Sequence, residues 1–466
     1  VRMEMRADCP RILLAGDRSS SGKTTIVAGL LSALRDRGLE VQPFKVAMDY
    51  IDPSYHTWIT GRSCRNLDGY LMKEAAVREI YAHAAQGADV AVIEGVRGLY
   101  EGYDGDLGST AQIAKMLQMP VILVVDARSI TRSCAALVKG YMDYDPAVNL
   151  RGVILNKVGS ARHADKAVKE IERYAKVEVV GTIRRNEEMY LAMRHLGLVP
   201  VLEGKTRHEG FKERVDRIRQ IVEEGLDLDR IQEIAREAEP LPGIEPELYL
   251  KNDSGRGLSI GVAQDEAFNF YYRDNLELME LAGARVVPFS PVHDSSLPEV
   301  DGIYIGGGYP EIYARELSEN KSFLHSLQRA HQRDIPIFGE CGGMLYLSEE
   351  IEWDEESNQM AGLIPGRAKR GSKRIVSYVH GHLARGSILG EEGEYIMGHE
   401  FHHSEMQIDQ GADVQYAIRL ERGTGITNGW DGIQTGNLLA CYSHIHSASY
   451  RGFPAHFLRA CRDLRQ

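Results

Sequence analysis

Short apolar runs alternate with amphipathic stretches through the first half of the chain. Arg11–Gly16 reads as a buried strand and Lys23–Arg37 as a helix. Strand-sized runs recur at Val41–Val46, Val90–Val96, Val121–Ala127 and Gly152–Asn156, and helical patterns fill the gaps at Ser109–Leu117 and Ile130–Tyr141. Near-continuous apolar strands alternating with helices predict a parallel sheet covered on both faces. Residues Phe211–Glu239 are helical in pattern and highly charged. The turn formers Pro240-Leu241-Pro242-Gly243 and the polar segment Lys251–Gly255 then mark a linker. The strand series restarts at Leu258 and continues through Arg285–Phe289, Gly302–Ile305 and Pro336–Phe338. Two α/β domains are expected, 1–245 and 256–466, joined by 246–255.

The length of 466 residues suits more than one domain. The formal charge is −12, from 55 basic and 67 acidic residues. That excess opposes phosphate backbones, so no nucleic-acid partner is expected, while a local basic pocket can still take an anionic small substrate. The six cysteines are scattered and form no CxxC pair, which argues against zinc and redox motifs and for a reducing, cytoplasmic setting. Residues Val1–Gly16 lack the long apolar stretch of a signal peptide. The apolar runs are strand-sized, so no membrane span is expected.

Ala15-Gly16-Asp17-Arg18-Ser19-Ser20-Ser21-Gly22-Lys23-Thr24-Thr25 follows the first strand and opens the first helix. This is the setting of a phosphate-binding loop, in which backbone N–H groups and a helix N-terminus cradle phosphate. Gly16, Ser21, Gly22, Lys23, Thr24 and Thr25 are its candidate nucleotide-binding residues. Lys23 supplies a point charge and Thr24 a hydroxyl for magnesium. The spacing departs from GxxxxGK[ST]: Asp17 stands at the first glycine position, and Gly16 lies one place earlier. Lys45, Asp49 and Asp52 follow the second strand, and Glu94 lies near the end of the third. Ligands of parallel sheets gather at such strand ends. Lys45 is therefore a candidate for phosphate or a substrate carboxylate, Asp52 for orienting the transferring phosphate, and Thr24, Asp49 and Glu94 for magnesium. Asn156 is either an adenine reader or a turn residue.

A second chemistry is written in Phe338-Gly339-Glu340-Cys341-Gly342-Gly343-Met344. Small residues between a strand and a helix force a nucleophile into an exposed elbow, and the helix N-terminus favours a Cys341 thiolate. Gly306-Gly307-Gly308 is another glycine turn at a strand end. The amides of Gly307, Gly308 and Gly342 are candidates for an oxyanion hole. His444 is the candidate base.

The loop from Gly16 to Thr25 resembles those of dethiobiotin synthetase and the cobyrinate amidases. Arg18 takes the place of the extra lysine of MinD-type ATPases, which keeps a switch ATPase open as a reading of that loop alone. The Cys341 set resembles class I glutamine amidotransferases, with His446 where a glutamate usually follows the catalytic histidine. The whole order of motifs resembles the cobyrinic acid a,c-diamide synthase family: VQPFKVAMDYIDPSYHT, GRSCRNLDGYLM, VIEGVRGLYEG, DEAFNFYYRDNLELM, GGGYPE, FGECGGM and GHEFHHSE. KVAMDYIDP in place of KVGPDYIDP, the Asp17–Ser21 loop and Glu101 in place of Asp are similar to the archaeal Ni-sirohydrochlorin branch. The cobalamin branch is the alternative.

This resemblance implies a dethiobiotin synthetase-like P-loop domain and a glutamine amidotransferase-like α/β domain. It implies ATP, magnesium, glutamine and a polycarboxylate tetrapyrrole as ligands, and it leaves a homodimer open. A tetrapyrrole acetate would be activated as an acyl phosphate, Cys341 would release ammonia from glutamine, and ammonia would travel by a shielded route. Arg62, Arg65 and Arg97 are candidate cations for the substrate carboxylates. GHEFHHSE is expected to serve loop structure or substrate contact rather than a transition metal.

Overall fold

The computed structural model describes residues 8–189 and 205–465, and of residues 205–209 the backbone alone. Residues 1–7, on which part of the expectation for the N-terminal stretch rests, lie outside the described residues. The chain forms two compact units, Val1–Glu247 and Leu248–Gln466.

The first unit holds a seven-stranded sheet: β1 Arg11–Gly16, β2 Val41–Val46, β3 Arg65–Leu67, β4 Val90–Gly98, β5 Val121–Asp126, β6 Leu150–Val158 and β7 Glu178–Arg184. Their order is β3-β2-β4-β1-β5-β6-β7, and every pairing is parallel. The strands β1, β2 and β5 are buried at every position, which is why they read as largely apolar runs, with Gln42 and Lys45 the polar interruptions in β2. β3 and β7 escape that reading: the first has three residues, and the second is only partly buried. The order places β2, β4 and β1 side by side, so the loop after β1, the turn after β2 and Glu94 of β4 meet at one edge.

The charged stretch at 211–239 is two helices, Lys205–Gly225 and Leu228–Arg236. Asp227 separates them, its side chain capping the second by accepting from the Arg230 N–H. The helix Lys23–Asp36 packs on the first of them. A Cβ placed on Gly29 would lie 2.5 Å from Val222 Cγ2 and 3.0 Å from Ile218 Cγ2, so the contact needs a residue without a side chain.

The second unit begins as a parallel sheet and ends as an antiparallel one. β8 Ser259–Ala263, β10 Arg285–Phe289, β11 Gly302–Ile305, β13 Ile337–Glu340 and β20 Leu438–Cys441 pair in parallel, in the order β10-β8-β11-β13-β20. The short β9 Phe268–Phe270 and β12 Gly307–Gly308 form a separate antiparallel pair. Beyond β20 the sheet continues through β19 Trp430–Thr435, β18 Gln415–Arg422 and β16 Arg367–Leu383. β17 Tyr395–Gln407, β14 Glu350–Trp353 and β15 Glu356–Gln359 complete it. Period-two alternation divides β11 and β13 between two cores: Ile303, Ile305 and Ile337 face one, Tyr304 and Phe338 the other.

This antiparallel extension is absent from the sequence reading. β17 contains GHEFHHSE, whose alternation of buried and exposed positions is hidden because its buried residues include His, Glu and Ser.

The glycine contact in the first unit gives a stability test. Gly29→Leu overfills a packed helix–helix contact and is expected to cost about 1–3 kcal/mol. Trp58 packs edge-on against Phe211 of the partner helix, so its fluorescence in a denaturant titration reads the loss. An unchanged midpoint would refute the close approach.

Candidate active sites

In the first unit the chain leaves β1 and curls tightly before Lys23 begins the helix. Gly22 has φ +92°, and a Cβ there would lie 2.2 Å from Asn156 Nδ2. Asn156 Nδ2 donates to the Ser21 carbonyl at 2.8 Å, and Asn156 Oδ1 accepts the Lys157 N–H at 2.8 Å. Asn156 thus braces the loop from β6, with both ends of its amide engaged by the chain. Lys157 adds a second brace, Nζ to the Ser20 carbonyl at 2.6 Å. The Ser21 hydroxyl is buried beneath Gly16 without a hydrogen-bond partner. Asp17 turns inward and pairs with Arg18 at 2.8 Å, so the residue in the MinD-type position is spent inside its own loop. Thr25 is buried on the first turn of the helix.

The phosphate loop meets a buried cluster of charge. Lys45 Nζ lies 2.6 Å from Asp52 Oδ2, 2.9 Å from Glu94 Oε1 and 4.0 Å from Asp49 Oδ2. Thr24 Oγ1 donates to Glu94 Oε1 at 2.5 Å and lies 3.4 Å from Asp52 Oδ2. Lys23 Nζ reaches the Arg97 carbonyl at 3.4 Å. Burial alone would discharge Lys45, but Asp52 and Glu94 outweigh it and hold the ammonium well above the usual lysine range. Burial, with Lys45 nearby, pulls Lys23 down. Burial also works against the Glu94 carboxylate, but Lys45 and His56 hold it well below the usual range. Burial and then Asp52 push Asp49 up to about 7.

Sequence reasoning brought Lys23, Thr24, Lys45, Asp49, Asp52 and Glu94 to this site and missed His56. Its Nε2 bonds Glu94 Oε2 at 2.6 Å, and both side chains are wholly buried. The signal was present: Asp52 and His56 are four residues apart on the helix Ile51–Thr60, a spacing that stacks side chains on one face. Of the three arginines, Arg62 is committed to Gln42 and to the Ala84 and Gln86 carbonyls. Arg65 is buried, and Arg97 is exposed on a left-handed backbone with φ +50°.

In the second unit Cys341 stands between β13 and the helix Gly342–Leu347 with φ +48°, the strained turn that an elbow requires. A Cβ on Gly342 would lie 2.9 Å from the Gly308 nitrogen, and one on Gly307 would lie 2.8 Å from His444 Cε1. The elbow, the glycine turn and His444 therefore share one site. Cys341 Sγ contacts the Phe401 carbonyl at 3.5 Å.

The thiolate expectation is corrected. Burial, then Glu311, push the Cys341 thiol far up, and the Gly342 N–H only partly opposes them. A helix of six residues is too short to overcome desolvation. Burial, followed by His399 and His402, holds His444 neutral, well below the usual range. Burial thus works against charge on both the Cys341 thiol and the His444 imidazole.

Two buried carboxylates hold the His444 segment. Asp431 accepts from the Tyr442 and Ser443 amides, each at 3.0 Å, and from the Ser443 hydroxyl at 2.7 Å. Glu340 Oε1 accepts the Ile445 N–H at 3.0 Å, and Glu340 also accepts from the Tyr304 hydroxyl. His446 Nδ1 accepts the Ala448 N–H at 3.0 Å, so its Nε2 carries the proton toward Asp274 Oδ2 at 3.2 Å. A carboxylate is thus present behind the histidines, bonded to His446. His399 stacks on His444 with centroids 5.0 Å apart and bonds the Tyr272 hydroxyl. In β17, Glu400 accepts from the Thr424 and Gly425 amides, and His402 stacks on Tyr442. Neither Asp431 nor Asp274 was singled out in sequence.

One chain therefore carries a phosphate loop with convergent lysines and acids, and a cysteine elbow with a glycine turn and a histidine. The first unit matches the CobQ/CobB/MinD/ParA nucleotide binding domain over residues 12–198. The second matches the CobB/CobQ-like glutamine amidotransferase domain over residues 259–452. Together they define an amidoligase that takes its nitrogen from glutamine. The chain is 52% identical over 98% of its length to the cobyrinate a,c-diamide synthase of Methanosarcina barkeri, covering 97% of that protein. It is 51% identical over 98% to that of Methanosarcina acetivorans, covering 96%, and 45% identical over 96% to that of Methanothermobacter thermautotrophicus, covering 99%. It belongs to the cobyrinate a,c-diamide synthase family.

The Glu340 clamp gives a pH test. Burial pushes its carboxyl up to about 7 from an ordinary 4.5, with Tyr304 and Ile445 pulling back only in part. A raised folded value binds extra protons, so the stability it contributes is full below about 4.5 and is lost as pH rises through about 7. Glu340→Gln carries no such proton. The stability of wild type minus variant is expected to fall between pH 4.5 and 7 in denaturant titrations. Parallel profiles would refute the buried, protonated carboxyl.

Proposed function

We propose that the chain amidates the a- and c-acetate carboxylates of Ni-sirohydrochlorin, with ATP activating each carboxylate and glutamine supplying ammonia. The observation that carries the reading is the pairing of two chemistries on one chain: Lys23 and Lys45 beside a phosphate loop, and Cys341 on a strained turn beside His444.

A substrate carboxylate oxygen attacks the γ-phosphorus of ATP, the bond to the β–γ bridging oxygen breaks, and ADP leaves an acyl phosphate. Lys23 and Lys45 offset the charge on the transferring group, and Asp52 holds Lys45 in place. Thr24, Asp49 and Glu94 offer hard oxygen donors to magnesium. Such a cation is typically held by one or two carboxylates and the phosphates themselves. Bound magnesium supplies neutralisation of the β- and γ-phosphate charge. At the second site His444 takes the Cys341 proton, and Sγ attacks the glutamine amide carbon. Ammonia leaves, and the remaining glutamyl thioester is hydrolysed. The amides of Gly307, Gly308 and Gly342 face the developing oxyanion. Ammonia then attacks the acyl phosphate and displaces phosphate.

The choice of tetrapyrrole rests on the turn after β2. Ala47 holds φ +70°, where the cobalamin-type motif has glycine, and Asn66 Nδ2 ties down the Ala47 and Asp49 carbonyls, both at 2.9 Å. A side chain kept on a glycine-type backbone beside Asp49 alters the pocket wall and leaves the charge cluster intact. The second reading is cobyrinate, favoured by the names of the relatives. A competition assay with both tetrapyrroles, ATP and glutamine decides by mass spectrometry; a higher kcat/KM for cobyrinate would reverse the assignment.

The two sites are separable by substitution. Cys341→Ala is expected to lose glutamine-dependent amidation to background and to keep amidation with ammonium at raised pH. Lys23→Ala is expected to lose both, because it removes charge neutralisation from the phosphates. Diamide formation with each nitrogen source is the readout. Full glutamine use by Cys341→Ala, or near-normal ammonium use by folded Lys23→Ala, would sink the corresponding role.

A further inference from the structure

We infer that His56 is a positioning residue for Glu94, splitting its carboxylate so that one oxygen is anchored and the other is presented to the phosphate loop. The inference rests on the metal–nucleotide reading of the first site and adds a residue to it.

The geometry divides the two oxygens cleanly. Oε2 meets only the imidazole among the contacts described, at 2.6 Å from His56 Nε2. Oε1 meets Thr24 Oγ1 at 2.5 Å and Lys45 Nζ at 2.9 Å. Glu94 lies within β4, where Lys45 of β2 and Leu14 of β1 are its register partners, so its backbone is fixed between two strands. The remaining freedom is rotation of the carboxylate, and the terminal torsion of glutamate is broad. His56 removes that freedom. It comes from the second turn of the helix Ile51–Thr60, one turn after Asp52, so a single helix face supplies both Asp52, on Lys45, and His56, on Glu94.

A second feature marks the contact as more than filler. His56 Nδ1 is buried and has no hydrogen-bond partner. An orphaned ring nitrogen in the interior is unfavourable, and an apolar side chain would avoid it. What an apolar residue cannot provide is the N–H on Glu94. Outer hydrogen bonds of this kind orient carboxylates that ligate metals.

The test is calorimetric titration of ATP into the full chain, once with magnesium and once with EDTA. His56→Leu is expected to weaken magnesium–ATP binding by about 10–100-fold, the usual cost of losing an outer-shell partner, and to leave metal-free ATP binding nearly unchanged. His56→Gln keeps an N–H donor and is expected to recover most of the loss. In a Glu94→Gln background, His56→Leu is expected to add nothing further. Unchanged magnesium–ATP affinity in His56→Leu overturns the inference. Equal weakening with and without metal overturns it too, as does an additive loss in the double variant. If His56→Leu does not fold, His56→Gln against His56→Asn decides: the shorter amide should lose magnesium-dependent affinity, and equal affinities overturn the inference. If wild-type affinity shows no magnesium dependence at all, the metal reading of Glu94 fails, and the inference falls with it. That outcome is distinct from one in which wild type responds to magnesium and His56→Leu does not differ from it.

Discussion

An ammonium group taken out of water must be surrounded by negative charge or lose its proton. Lys45 meets that condition with carboxylates from two elements, Asp52 on a helix and Glu94 on a strand. Much of the first site follows from it. The acids that keep Lys45 charged are themselves buried, so each needs its own partner: Glu94 takes Thr24 and His56, and Asp52 approaches Thr24. The phosphate loop is thereby tied through Thr24 to the same network. On the proposed reading a nucleotide at the loop would bring anions to Lys23 and Lys45, and would free acid oxygens for a cation. The network is balanced without ligand and can exchange partners with it.

The second site solves the same problem without cations. Glu340 and Asp431 are buried and face backbone amides and hydroxyls rather than lysine or arginine. Burial raises both carboxyls toward neutrality, which lowers the cost of keeping them inside. Their task is geometric: they grip residues 442–445 on either side of His444. The imidazole is thus aimed by its backbone and by stacking on His399, and the Asp274 carboxylate is given to its neighbour, His446.

The parallel sheet of the first unit and the parallel part of the second were legible because buried strands leave largely apolar runs, and because strand–loop–helix punctuation survives in glycine and serine. Lys23, Lys45, Asp49, Asp52, Glu94 and Cys341 were singled out by that punctuation, at or just after strand ends, and His444 as a histidine downstream of the cysteine elbow. What escaped has a common cause. His56, Asp274 and Asp431 act from inside elements, through partners distant in sequence, and only His56 is announced by a local spacing, four residues after Asp52 on one helix. The strand β17 escaped because a buried face made of His, Glu and Ser does not look apolar. Asn156 shows the converse: its position beside the phosphate loop was legible, but its amide faces a carbonyl of the loop.

The protonated state of Cys341 connects geometry to economy of nitrogen. A standing thiolate would react with any electrophile that reached it, and an elbow buried among Glu311, Glu340 and Asp431 suppresses that form. On the proposed reading His444 accepts the proton, which its own burial among histidines disfavours. In the same reading, an amide carbonyl directed at the Gly308 and Gly342 nitrogens would bring new dipoles to the elbow. The imidazolium–thiolate pair would, on that reading, form in the presence of its substrate, when the oxyanion that follows has donors waiting. In an amidoligase such a coupling would limit idle release of ammonia, because burial that keeps the thiol protonated acts at the turn where the proposed reading brings glutamine.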